Sequence, residues 1–246
     1  MSRKQLHEIT IDATPEEVWR CLTEADQITR WFAPEAKVEP GVGGKVLLSW
    51  GPGMEGESPI HLWEPNHRFG WTEQGARPKL VEFEIEAKDG VTILRLVQSG
   101  FGEGASFEDE FEATNGGWRT YFRILKFGLE HHLGETCTPV SVFRQLDMTR
   151  DQITPRLSLA LDIQPALEDL REGQSYKSNL DIRGTRLEPD KPGYYLLTVD
   201  NWSNSLFALF TEKMGDKCFF TLQAYLFGDA GKRADQVRQI FTDVQL

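Results

Sequence analysis

Apolar and charged residues alternate along much of the first hundred positions. Val81, Phe83 and Ile85 are separated by Glu82, Glu84 and Glu86. Successive side chains of an extended chain point to opposite faces, so this pattern predicts a strand with one buried and one wetted face. The same reading predicts strands over 4–11 (apolar at Leu6, Ile9 and Ile11), 45–50, 60–64, 68–73, 80–88 and 91–98. Gly51-Pro52-Gly53, Pro65-Asn66-His67 and Asp89-Gly90 read as turns between them. Asp-Gly between two alternating runs is a strong hairpin signal, because both central residues of that turn need positive φ. The expected product is an antiparallel sheet with one solvated side.

Helical patterns flank these strands. Thr14-Pro15-Glu16-Glu17 predicts a helix start, with Thr14 as N-cap, Pro15 at the first helical position and Glu17 completing a capping box. A second short helix is predicted over 25–32, stopping before Pro34. An acidic loop follows at 103–112, and Asn115-Gly116-Gly117 reads as the start of a long helix. There the period changes: Trp118, Phe122, Leu125 and Leu129 fall on one helical stripe. A curved sheet wrapped around that helix buries both apolar surfaces economically.

After Gly134 the pattern is less regular. Thr138-Pro139 and Thr154-Pro155 read as helix starts, and Pro165 interrupts the second stretch. Strands are expected over 176–188, 194–199, 205–212 and 217–227, with turns at 201–204 and 214–216. A final amphipathic helix is expected over 232–244, aligning Val237, Ile240, Phe241 and Val244. No internal sequence repeat is visible. Strands followed by an amphipathic helix nevertheless echo the first half and allow a degenerate duplication. The domains read as 1–134 and 135–246. The run 218–227 alternates poorly, which implies contact with more than one layer. Docking on the first domain and homodimerisation through the C-terminal domain are the alternatives this leaves.

Composition narrows the function classes. The 246 residues are 39% hydrophobic and 11% aromatic, enough for a packed core and unlike a disordered chain. The net charge of −11 disfavours nucleic-acid binding, which depends on neutralising phosphates, and docking on anionic membranes. Residues 1–134 carry 14 basic and 22 acidic side chains, and residues 135–246 carry 13 and 16, so the first part is the more acidic. No run approaches the ~20 apolar residues of a membrane-spanning helix. There is no apolar signal-peptide segment at the N-terminus, and three widely spaced cysteines suit a reduced cytoplasmic setting.

Several motif-like strings carry no chemistry. Gly51-Pro52-Gly53-Met54-Glu55-Gly56 matches GxGxxG, but a strand rather than a helix is expected next, so no helix N-terminus would meet a pyrophosphate. Gly41-Val42-Gly43-Gly44-Lys45 lacks the Ser/Thr of a P-loop and reads as a turn. His7, His61, His67, His131 and His132 show no metal-ligand spacing, so no metal site and no cofactor is expected. Glu82, Glu84 and Glu86 read as the wet side of a strand rather than as catalytic carboxylates. The aromatic residues are more informative. Trp31, Phe32, Trp50, Trp71, Phe83, Trp118 and Phe122, with Leu125, are the candidate walls of an apolar cavity between sheet and helix.

The motifs also carry a resemblance. Ile9-Thr10-Ile11-Asp12-Ala13-Thr14-Pro15-Glu16-Glu17-Val18-Trp19 with Leu22-Thr23, Arg30-Trp31-Phe32-Ala33-Pro34, Gly43-Gly44 before a strand, Thr92, Leu94 and Leu96 leading into Gly100-Phe101, and Asn115-Gly116-Gly117-Trp118 ahead of Leu125 occur in this order. Together, over about 5–132, they resemble the SRPBCC (START-like, birch-pollen-allergen-fold) superfamily. More closely they resemble its branch named for activators of the ninety-kilodalton heat-shock ATPase (AHSA-type). The resemblance implies an α+β helix-grip fold: a curved antiparallel sheet around a long C-terminal helix, followed here by a second, smaller α+β domain. Residues 135–246 resemble no particular family.

Members of the superfamily include lipid and hormone carriers, polyketide cyclases, co-chaperones and many bacterial proteins, and a shared fold does not fix function. The leading expectation is non-enzymatic binding of a small hydrophobic molecule. The alternatives are a co-chaperone or protein-interaction module, motivated by the acidic segment 103–112, and a cyclase or hydrolase on an aromatic or polyketide-like substrate. The co-chaperone members carry an extra N-terminal domain, whereas this sequence opens on the helix-grip unit, which weakens that reading. For catalysis, His61, Glu73, Arg95 and Tyr121 are the polar candidates, and none has an argued role as general base.

Overall fold

The computed structural model describes residues 3–51, 53–104, 107–214 and 217–244. Pro52 of one expected turn, Gly215 and Asp216 of another, and Ala105 and Ser106 of the acidic segment lie outside the described residues. The chain divides into two compact units, Met1–Leu133 and Gly134–Leu246.

The first unit runs β1 (Arg3–Ile11), α1 (Pro15–Thr23), α2 (Ala25–Ile28), β2 (Glu35–Glu39), β3 (Lys45–Ser49), β4 (Glu55–Glu64), β5 (Arg68–Glu73), β6 (Lys79–Lys88), β7 (Val91–Phe101) and α3 (Glu108–His131). Its seven strands form one antiparallel sheet in the order β1-β7-β6-β5-β4-β3-β2. The predicted local signals act as expected at two places. Thr14 and Glu17 exchange the reciprocal bonds of a capping box, 3.2 Å from the Glu17 N–H to Oγ1 and 2.7 Å from the Thr14 N–H to the carboxylate. Asp89 and Gly90 both have positive φ, 51° and 86°, as the two-residue hairpin demands.

Register fixes which side chains share a face. Phe69 pairs with Phe83, Phe83 with Leu96, and Leu96 with His7, giving one row across four strands. Trp71, Val81, Gln98 and Gln5 form the next. These rows belong to the buried face. On the opposite face Arg95 lies among Glu8, Glu84 and Glu86, with its closest oxygens 2.6 Å away on Glu8 and Glu86. Glu84 and Glu86 are thus partners of a surface arginine, while Glu82 lies 3.4 Å from His61.

Several predicted elements shift. In β1 the buried set is Gln5, His7 and Ile11, while Leu6 is 66% exposed. Ile9 and Ile11 set the parity of the strand, and Leu6 is out of step with both. Helix α2 ends at Ile28 instead of continuing to 32, because the following residues turn tightly: the N–H groups of Trp31 and Phe32 both reach the Ile28 carbonyl. The acidic segment is not all loop. Glu108, Asp109 and Glu110 form the first turn of α3, where carboxylates oppose the positive end of the helix. Asn115-Gly116-Gly117 therefore lies inside α3. Strand β2 had no counterpart in the prediction.

The second unit contains β8 (Cys137–Leu146), α4 (Arg150–Ala160), β9 (Ile163–Gln164), β10 (Ser175–Ser178), β11 (Ile182–Lys191), β12 (Tyr194–Val199), β13 (Ser205–Met214), β14 (Lys217–Phe227) and α5 (Ala234–Asp243). Its sheet order is β8-β14-β13-β12-β11-β10-β9. Adding seven to each strand number of the first sheet reproduces this order. The second unit therefore repeats the topology of the first, with α4 in place of α1 and α2, and α5 in place of α3.

Thr138-Pro139 is not a helix start: Pro139 lies in edge strand β8, opposite Tyr225, where a missing N–H is tolerated. Helix α4 begins before the expected Thr154-Pro155, because Thr149 and Gln152 form a capping box upstream. The closing helix α5 is only 10 residues long, against 24 for α3. Arg144 on β8 holds its last turn by donating to the carbonyls of Phe241, Thr242 and Val244. Val237 and Phe241 are fully buried under it.

Burial beneath α3 and the charges of Arg119 and Arg123 push His7 down to about 4. Between the ordinary histidine value near 6.5 and about 4, the unfolded chain binds a proton that the folded chain does not. His7 thus contributes stability above that window and loses it as pH falls. From pH 7 to pH 5 the loss from His7 should reach about 2 kcal/mol. Denaturant titrations at the two pH values should therefore show a smaller acid-induced decrease in His7→Gln than in the native chain. Equal decreases would contradict the assignment.

Candidate functional site

The concave face of the first sheet and the apolar stripe of α3 meet over a continuous set of aromatic rings. Phe32 stacks on Trp118 at 5.0 Å and on Trp31 at 5.1 Å, and meets Trp50 edge-on at 5.2 Å. Phe83 touches Trp118 at 5.8 Å and Trp71 at 5.5 Å. Phe122 lies 6.2 Å from Trp118 and 6.4 Å from Phe83. Leu125, one turn on, is buried on the same helix. Offset and edge-to-face pairs of this kind add to the stability of burial itself.

Trp31, Phe32, Trp71 and Phe83 line a void of about 10 Å³. Leu22, Ile28, Val46 and Leu48 complete its wall. Trp50, Trp118, Phe122 and Leu125 do not face this void; they pack around it. Four of the eight expected wall residues thus line this void, and Trp50, Trp118 and Phe122 interlock with their rings. A void of this size holds one water at most. The four aliphatic wall residues were missed in the sequence. The alternation Val46-Leu47-Leu48 marks one face of β3, but nothing local says that α1 and α2 roof it.

Polar groups also enter the grip. The Trp118 indole N–H donates to Gln98 Oε1 at 2.6 Å, and the Gln98 amide donates to Glu73 at 3.3 Å. Burial holds the Glu73 carboxyl above its ordinary range, with Lys79 opposing the shift. Gln5 donates to the Phe111 carbonyl at 2.7 Å and lies 3.3 Å from His7. Of the polar candidates for catalysis, Glu73 joins this chain. His61 faces Thr72 at 3.1 Å and Glu82 at 3.4 Å, and Arg95 lies on the wetted face. Tyr121 presents its ring edge to Phe32 at 5.0 Å. The four are therefore not one constellation.

In the acidic segment, Glu108 pairs with Arg3 at 2.5 Å and Glu110 with Lys79 at 2.6 Å, so two of its carboxylates tie α3 to the sheet. Among the described residues, no cluster of His, Cys, Asp or Glu could hold a metal ion, and no helix is long and apolar enough to cross a membrane.

Trp118→Phe keeps a ring in place but leaves Gln98 Oε1 without its donor. A buried acceptor left unmet costs about 1–3 kcal/mol. Chemical denaturation should show a loss of that order, and Gln98→Leu added to Trp118→Phe should recover part of it. If the double variant is as unstable as the sum of the singles, the bond has no coupling energy.

Residues 12–130 match the family described as activator of Hsp90 ATPase homolog 1-like protein. No curated protein matches the chain. Among solved structures, a Mesorhizobium loti protein is 26% identical, covering 50% of this chain and 94% of its own, with a TM-score of 0.47. The Aha1 dimer from Colwellia psychrerythraea is 23% identical, covering 52% and 96%, with a TM-score of 0.48. DynU16, a protein of the dynemicin biosynthetic locus, is 13% identical and covers 98% of this chain and 94% of its own, with a TM-score of 0.46. The family match takes in nearly all of the first unit and just under half of the chain, so the likeness to the AHSA-type family is a property of that unit.

Proposed function

We propose that the first unit binds a small apolar molecule between its sheet and α3, without catalysing a reaction. The observation that carries this reading is the lining of the void, which contains only aliphatic and aromatic side chains. Of the two indole nitrogens among these side chains, that of Trp31 already donates to the Cys21 carbonyl at 2.9 Å. No general acid or base faces the space, so an occupant would be held by contact alone.

Room for an occupant has to come from the wall. Empty apolar space costs about 24 cal/mol per Å³, so an unoccupied grip closes on itself. Trp31 and Phe32 are the side chains placed to move. They follow α2, a helix of four residues with no side-chain cap at its start. A planar apolar molecule in the place of the Phe32 ring would inherit its stack on Trp118.

The test uses N-phenyl-1-naphthylamine, an uncharged fluorescent probe. One probe should bind per native chain. Phe32→Ala should bind it more tightly by vacating a ring's volume, and Trp118→Ala should bind it more weakly. Absence of saturable binding to the native chain, or identical affinity in both variants, would remove the proposal.

A further inference from the structure

The second unit has an opening of a different chemistry. A cleft of about 470 Å³ lies between the start of α4, residues 168–171 and the turn joining β11 to β12. That volume falls in the usual range for small-molecule sites. Arg150, Arg171 and Arg186 face it, together with Asp151, Glu168 and the ring of Tyr195. Three guanidinium groups against two carboxylates leave one net positive charge, in a chain whose total is −11.

Each arginine is placed by the fold. Arg186, on β11, is 2% exposed. It donates to the carbonyls of Leu170 and Tyr194, and its guanidinium carbon lies 4.7 Å from the centre of the Tyr195 ring. Arg171 is exposed at the rim and donates to the carbonyl of Glu168 at 2.8 Å, a neutral acceptor that leaves its charge uncompensated. Arg150 has a buried Nε with no hydrogen-bond partner among the described residues. Gly193 (φ +83°) lets the turn press against that atom: a Cβ there would lie 2.5 Å from Nε. The turn closes off that atom, so an acceptor in the cleft would meet the other guanidinium nitrogens of Arg150.

Glu168 is partly committed, since it accepts from Ser158 Oγ at 2.8 Å. Two resident carboxylates would repel a dianion, while the single net positive charge suits a monoanion. The Tyr195 ring and the flanking prolines, Pro155 and Pro192, offer flat apolar walls. Arginine forks match the two oxygens of a carboxylate.

We propose that this cleft binds a small cyclic carboxylate, with its carboxylate between Arg150 and Arg171 and its ring against Tyr195. Arg186 supplies a fixed positive charge behind the ring. This site is independent of the apolar one in the first unit.

Calorimetric titration of the full chain with 2-naphthoate tests it, with 2-naphthamide as the uncharged analogue and inorganic phosphate as competitor. One naphthoate should bind per chain. The amide and Arg150→Gln should each weaken binding by about tenfold or more, the effect of one lost charge-assisted contact. Phosphate should not displace the naphthoate. If Arg150→Gln fails to fold, the rim variant Arg171→Gln decides on the same criterion. Equal binding of acid and amide, native affinity in the folded arginine variant, full displacement by phosphate, or no saturable binding would each overturn the proposal.

Discussion

A curved sheet with one apolar face has to cover that face, and the stack of Phe32 on Trp118 is where the first unit does so. This contact joins three parts of the chain: the segment after α2, the closing helix, and through Phe83 the centre of the sheet. The concave rows set by strand register would otherwise be open to water. The apolar area of these rings is large, and burying a side chain of this kind contributes on the order of 1.5–3 kcal/mol. The same interlocking leaves a void of about 10 Å³ beside Phe32 and Trp31.

The two units show how one topology yields different interiors. Strand order and handling of the concave face are the same, yet α3 has 24 residues and α5 has 10. A long helix lays an aromatic stripe along its sheet. The short helix covers β8 and β14, and its C-terminus is fastened by Arg144. Around the start of α4 and the β11–β12 turn, the second unit instead keeps arginines, carboxylates and a tyrosine about a cleft. An apolar void and a cleft lined by guanidinium groups differ in chemistry, although the backbone plan is shared.

Polar groups beneath α3 make a third feature. Gln5, His7 and Gln98 stand on buried rows of the sheet and are matched with one another, with the Trp118 indole and with backbone. Such matching is what makes their burial tolerable. The same burial holds His7 neutral and disfavours the charged form of Glu73, so the network sets both packing and titration.

Much of the local structure was legible from residues alone. Alternation in 79–88, the Asp89-Gly90 turn and the Thr14–Glu17 capping box depend on neighbours a few positions apart, and each formed as its pattern dictates. The apolar identity of the grip was equally legible, since Trp31, Phe32, Phe83 and Trp118 had to be buried somewhere together. Which of them line a void and which only pack around it depends on ring contacts between residues far apart in sequence. Tertiary structure alone also decided that Gln5 and His7 turn inward while Leu6 faces water, because strand parity is set by pairing with β7. The same holds for Thr138-Pro139, a helix signal overridden when β8 found β14. The arginine cleft was invisible for the same reason: Arg150, Arg171 and Arg186 are ordinary surface residues by spacing, and only the fold of the second sheet brings their charges around one space.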